Sequence, residues 1–169
     1  MKAQEIMTPH PRTCSGHDTM QSIARMMRDH DCGCVPVADE KSGKVIGIVT
    51  DRDITIRGTA EGKLPDTDVD ELMTPGPICC LPSEDIADVE RKMAEAQVRR
   101  VPIVDPAGHC VGIIAQADFA RSAHNDRISE RDIARLVEKI SEPGPAKPVN
   151  KPAQKARKPA ANRELKRAS

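Results

Sequence analysis

The sequence predicts an α+β protein built from two copies of one β-α-β-β-α unit. Three observations predict it. EIMTPHP (5–11) returns as ELMTPGP (71–77), CVPV (34–37) returns as RVPI (100–103), and GIVTDRDI (47–54) returns as GIIAQADF (112–119). Repetition at this spacing is the mark of a stacked or paired architecture. A unit of about 55 to 60 residues buries too little surface to be secure alone, so the two copies must pack on each other.

Each copy opens with a short extended piece, 12–14 or 78–80. A helix follows. In the first copy Met20, Ile23, Ala24 and Met27 recur at helical spacing; in the second, Ser83 is the expected N-cap, and Ile86, Val89 and Met93 form the stripe. Next comes a strand over 35–38 or 101–104, a Gly-containing turn, and a second strand over 45–49 or 110–114. The turn segments DEKSGK and DPAGH differ by one residue, a cheap change in a hairpin. A second helix opens near Asp51 or Gln116. Ser129 and Asp132 then resemble a capping box ahead of a helix with Ile133, Leu136, Val137 and Ile140 on one face. The resulting division is repeat 1 over 1–65, repeat 2 over 66–125, a helix over 126–142 and a tail over 143–169.

Composition narrows the class. The 169 residues include one aromatic, Phe119, so the core must be aliphatic. Each buried aliphatic side chain contributes about 1.5–3 kcal/mol, which makes such a core feasible. No apolar run approaches the roughly 18 residues of a membrane span. The N-terminus lacks the apolar region of a signal peptide, and a cytoplasmic protein is expected. There the six cysteines stay mostly reduced. Basic and acidic residues balance at 26 each, but eight basic residues and one acid, Glu164, fall in 143–169. This Pro-, Ala- and Lys-rich tail is expected to be disordered and to help solubility. It carries no aromatic for stacking, so nucleic-acid contact beyond weak electrostatics is not expected. No nucleophile–base pairing, P-loop or dinucleotide fingerprint occurs, and no enzyme is expected.

Two MTP openings, two VP-bearing strands, GIVTDRD and GIIAQAD together resemble a tandem pair of CBS domains, the Bateman module, over residues 1 to about 125. HDCGCVPV, TDRDITIRG and EAQVRRVPIV are similar to small bacterial stand-alone pairs of the hypoxic-response type. The resemblance implies pseudo-twofold symmetry, a homodimer, a regulatory role toward a partner it does not name, and no required cofactor. It also implies an adenine nucleotide (AMP, ADP or ATP) bound where the second half of one repeat meets the first half of the other. Carried over, Thr50 would meet phosphate and Asp53 ribose. Ile48, Ile78 and Val101 would hold the adenine, with Cys79, Cys80, Arg99, Arg100 and Pro102 completing the site. Arg99 and Arg100 suit phosphate because a guanidinium donates two hydrogen bonds at once. Alternation along a strand points one of them, Arg99 by preference, into the cleft.

Thr50 and Asp53 read equally well as a helix cap and a dipole partner. The second copy places Ala115 at the Thr50 position and Gly33 and Cys34 at the arginine positions. Its site, with Cys14, Cys34, Val35, Pro36, Ile113 and Asp118, is therefore expected to be weaker. A different class of function rests on His30, Cys32, Cys34 and Cys14, as a zinc or redox site. Against it stands the ordinary role of free cysteine as a small buried residue. The last alternative is a scaffold without a ligand.

Overall fold

The computed structural model describes residues 1–123 and 130–142. The fold is α+β with the two β-α-β-β-α repeats. Repeat 1 contains β2 (Cys14–Ser15), α1 (Met20–Asp29), β3 (Cys34–Ala38), β4 (Val45–Thr50) and α2 (Asp51–Asp53), which continues as a π-helical turn over Ile54–Gly58. Repeat 2 contains α3 (Ile86–Ala96), β6 (Arg100–Val104), β7 (Cys110–Ala115) and α4 (Gln116–Ala123). A bridge between Cys80 and Ile103 stands where β2 pairs with β3. The last helix is α5 (Glu130–Ser141). The expected Ser129–Asp132 box and the tail over 143–169 lie outside the residues whose side chains are described.

The two MTP segments are exchanged. β1 (Thr8–Pro9) pairs antiparallel with β7 of the second repeat, and β5 (Thr74–Pro75) pairs antiparallel with β4 of the first. The sheets thus run β1-β7-β6 and β2-β3-β4-β5. Packing explains why each MTP faces a glycine. A Cβ at Gly47 would collide with Met73 Sδ, and one at Gly112 would collide with Met7 Sδ. The motif glycines clear space for the methionine of the incoming segment.

Each repeat has its own core, and the expected aliphatic composition is corrected in the second, where Phe119 is the largest fully buried side chain. One gathers Met20, Ile23, Met27, Val35, Val37, Val49, Val69 and Leu72. The other gathers Val89, Met93, Val101, Ile103, Ile114 and Phe119, joined by Leu136 and Ile140 of α5. The exchange reaches these cores too: Ala3 packs in the second and Leu72 in the first.

Three local expectations are corrected. Ser83 does not cap α3; it lies in a turn closed by Glu84 N–H on Leu81 O (3.1 Å), and Asp85 takes the N-cap. In α1, Ala24 is exposed because Met20, Ile23 and Met27 already fill the narrow stripe. In α5, Val137 faces outward, while Leu136 and Ile140 are buried.

The hairpin tips of the two repeats meet. Val45 N–H donates to Gly108 O (3.0 Å), and His109 Nε2 donates to Ser42 O (3.0 Å). His109 Nδ1 lies 3.1 Å from Asp105 Oδ2. Two acceptors, one on each ring nitrogen, favour the imidazolium, and the pKa of His109 is raised, chiefly by Asp105. No helix among the described residues is long and apolar enough to cross a membrane.

Candidate functional site

Two cavities lie along the seam between the repeats. The first, about 550 Å³, is walled by the end of β4 and the start of α2 on one side, and by the loop entering β6 on the other. Of the residues singled out in the sequence, Ile48, Thr50, Asp53, Arg99 and Arg100 line it. Asp51, Arg52, Thr74, Gln97, Val98 and Ile140 line it without having been foreseen. Thr74 was hidden because strand exchange seats it beside Ile48, a long-range pairing that no local pattern shows. Ile140 comes from α5, outside both repeats.

The remaining expected residues sit elsewhere. Val101 is fully buried in the second core. Cys80 is 1% exposed and bridged to Ile103. Ile78 is exposed beyond the turn at Gly76, whose φ is +57°. Cys79 and Pro102 are also absent from the cavity wall.

Thr50 and Asp53 close a reciprocal cap. Thr50 Oγ1 donates to Asp53 Oδ2 (2.7 Å), Thr50 N–H donates to the same oxygen (3.0 Å), and Asp53 N–H donates to Thr50 Oγ1 (3.1 Å). This satisfies backbone donors that the first helical turn leaves open. Asp53 Oδ1 faces Arg57 Nε at 3.5 Å. Arg57 in turn donates to Leu72 O (2.8 Å), Met73 O (2.9 Å) and Thr74 Oγ1 (3.2 Å). One arginine thereby ties the incoming MTP segment to the turn that carries Asp53.

The second cavity, about 450 Å³, is the counterpart of the first across the pseudo-twofold axis. Cys34, Ile113 and Asp118 line it; Cys14, Val35 and Pro36 do not, being buried within β2 and β3. Asp118 is 6% exposed, accepts from Ala115 N–H (2.6 Å) and pairs with Arg121. Gly33 and Cys34 stand where the first site has its arginines, but basic residues reach this wall from other segments. Arg12, Arg100, Arg121, His10 and His30 all line it, against Asp31 and Asp118. Arg121 stood one turn after Asp118 in the sequence, a legible signal. Arg100 was assigned to the other site.

Nor does alternation separate the two neighbouring arginines. Both line the first cavity, and Arg100 reaches the second as well. Arg57 and Arg121 are committed to carboxylates. Among the described residues, Arg12, Arg52, Arg99 and Arg100 close no ion pair, so four guanidinium groups face the cavities uncommitted.

His30, Cys32 and Cys34 share the second cavity, but Cys14 turns away, its thiol on Pro36 O at 3.8 Å. Burial pushes the Cys34 thiol up to about 12, with Arg100 opposing, and burial with Asp18 pushes Cys14 to about 12. Among the described residues no group of three or more His, Cys, Asp or Glu side chains is arranged to hold a metal ion. All six cysteines are free thiols.

Comparison with known proteins agrees with this architecture. The CBS domain family model matches residues 3–57 and 69–125. The CBS domain-containing protein YhcV of Bacillus subtilis is 38% identical over 117 residues, covering 69% of this chain and 81% of that protein. The crystal structure of Hypoxic Response Protein I with two coordinated zinc ions superposes with a TM-score of 0.65 at 34% identity, covering 72% of this chain and 98% of that one. The CBS domain pair of protein MJ0100, in complex with 5′-methylthioadenosine and S-adenosyl-L-methionine, superposes with a TM-score of 0.68 at 25% identity, covering 75% and 98%. With both repeats matched, and with the exchanged MTP strands and paired seam cavities in place, this chain belongs to the CBS domain family.

Proposed function

We propose that this protein is a non-catalytic regulatory module that binds an adenine nucleotide in the first seam cavity and passes its occupancy to its own dimer or to a partner protein. The observation that carries the reading is that Thr50, Asp53, Arg99 and Arg100 line one cavity whose aliphatic walls are Ile48, Val98 and Ile140. Ribose hydroxyls donate to Asp53, the phosphate takes the guanidinium forks, and the base lies against the aliphatic side chains. The adenosyl ligands held by the MJ0100 pair support this class of ligand. A homodimer and a reducing, cytoplasmic setting belong to the reading.

A ligand shifts an equilibrium only by its differential affinity for the two states, so signalling demands modest energies. Thermal-shift measurement with AMP, ADP, ATP and S-adenosylmethionine tests the reading. A ligand present at 100 times its Kd stabilises the fold by about 2.7 kcal/mol, which raises the melting temperature by several degrees. Asp53→Ala abolishes most of that rise. No shift with any of these ligands overturns the reading.

A second reading, zinc binding near His30 and Cys32, is favoured by the two zinc ions in Hypoxic Response Protein I. Metal content of protein purified without added zinc tests it.

A further inference from the structure

We infer that Arg100 is shared between the two seam cavities, so that phosphate bound in one weakens phosphate binding in the other; this rests on the nucleotide-binding reading above. Arg100 is the arginine common to both cavity walls. It starts β6, where that strand separates the cavities, and its backbone partner across the ladder is Ala115. Its guanidinium has no ion pair among the described residues to hold it on either side.

Gly33 sets where that guanidinium rests. A Cβ built at Gly33 would stand 2.9 Å from Arg100 Nη2 and 3.1 Å from Asp51 Oδ2. Only the absence of a side chain at position 33 lets the guanidinium lie against this stretch of backbone, in the second cavity. Asp51, which lines the first cavity, approaches the same point without closing an ion pair with Arg100. The fork can therefore be drawn toward either cavity by moving the flexible end of one side chain.

A guanidinium fork that chelates one phosphate is withdrawn from the other. Two phosphates on either side of one strand also repel each other. Both effects have the same sign. Arg99 adds to the first cavity alone, and Thr50 has no counterpart at Ala115, so the first cavity fills first. Arg12, which closes no ion pair among the described residues, gives the second cavity a cation of its own, which is why the coupling is antagonism and not mere absence of a second site.

Isothermal titration of the full chain with AMP tests this. Wild type is expected to show a tight phase and a second phase at least tenfold weaker, about 1.4 kcal/mol. In Arg100→Gln the tight phase weakens by tenfold or more and the two phases draw together. In Gly33→Ala, where the new methyl displaces the guanidinium toward the first cavity, the tight phase strengthens and the weak phase falls further. Two equal, independent AMP sites in wild type, or isotherms indifferent to both substitutions, overturn the sharing of Arg100 while leaving nucleotide binding intact. No heat from AMP with wild type overturns the binding reading and this inference together.

Discussion

At the end of β4, a threonine hydroxyl and its backbone N–H both donate to Asp53, and Arg57 stands on the outer carboxylate oxygen. At the end of β7, the backbone of Ala115 alone donates to Asp118, and Arg121 takes the outer oxygen. The two turns share a backbone and a carboxylate yet differ in how firmly each is enclosed. Asp118 is nearly buried, whereas the Asp53 side chain keeps 14% exposure beside a larger cavity. Both carboxylates cap their helices from a cavity wall, and Asp53 keeps the more open edge. The comparison teaches that a duplicated motif duplicates structure first, and that its chemistry is decided by the neighbours each copy acquires.

The largest break in this comparison comes from removing the two acids. Asp118→Ala removes a buried carboxylate and leaves the part-buried Ala115 N–H without its acceptor, and is expected to cost about 2–3 kcal/mol. Asp53→Ala, at a wetter turn, is expected to cost about 1 kcal/mol. Urea unfolding of both variants measures the difference, and equal losses would contradict the assignment of one acid to the interior and the other to a site. Thr50→Ala comes next: it removes the hydroxyl from the cap, costs about 1 kcal/mol and weakens AMP binding about tenfold. The converse change, Ala115→Thr, sharpens the comparison. It supplies the missing hydroxyl to Asp118 and is expected to gain about 0.5 kcal/mol and to tighten the weaker AMP phase. Failure to gain in either readout would mean that the hydroxyl is not what separates the two turns.

The smallest expected effect concerns the contact between hairpin tips. The raised pKa of His109 means that the protonated ring is favoured in the folded state. Its contribution is therefore full below the ordinary histidine value of about 6.5 and fades as pH rises through the raised folded value. Melting temperature followed from pH 5.5 to 8.5 should fall slightly more in wild type than in His109→Gln. Identical profiles would show that the ring does not link the tips.

Much of this was written in the sequence because it is local. The stripes through Ile23 and Met27, and through Val89 and Met93, are buried as their spacing required, and the second helices begin at Asp51 and Gln116. Thr50 and Asp53 were legible as a cap and as a cavity pair because both roles use the same short turn. What escaped the sequence is long-range. Two-residue strands such as Thr8–Pro9 carry too little pattern to announce a partner a hundred positions away, so the exchange of MTP segments was invisible. With it went the placement of Thr74 in the cavity and of Ile78 outside it. Ile140 was legible as an apolar helix position, but not as a cavity wall, since that depends on where α5 docks. The reach of Arg100 depends on the bare backbone at Gly33, a contact across 67 positions that strand alternation does not express.

The central claim is that a nucleotide sits between Ile48, Asp53 and Ile140, and methyl NMR of the full chain with isoleucine labelling tests it most directly. On addition of AMP the account predicts shifts at Ile48 and Ile140 first, then weaker shifts at Ile113 of the second cavity, with Ile86 unmoved. No shift at any isoleucine, or shifts confined to Ile113, would contradict it.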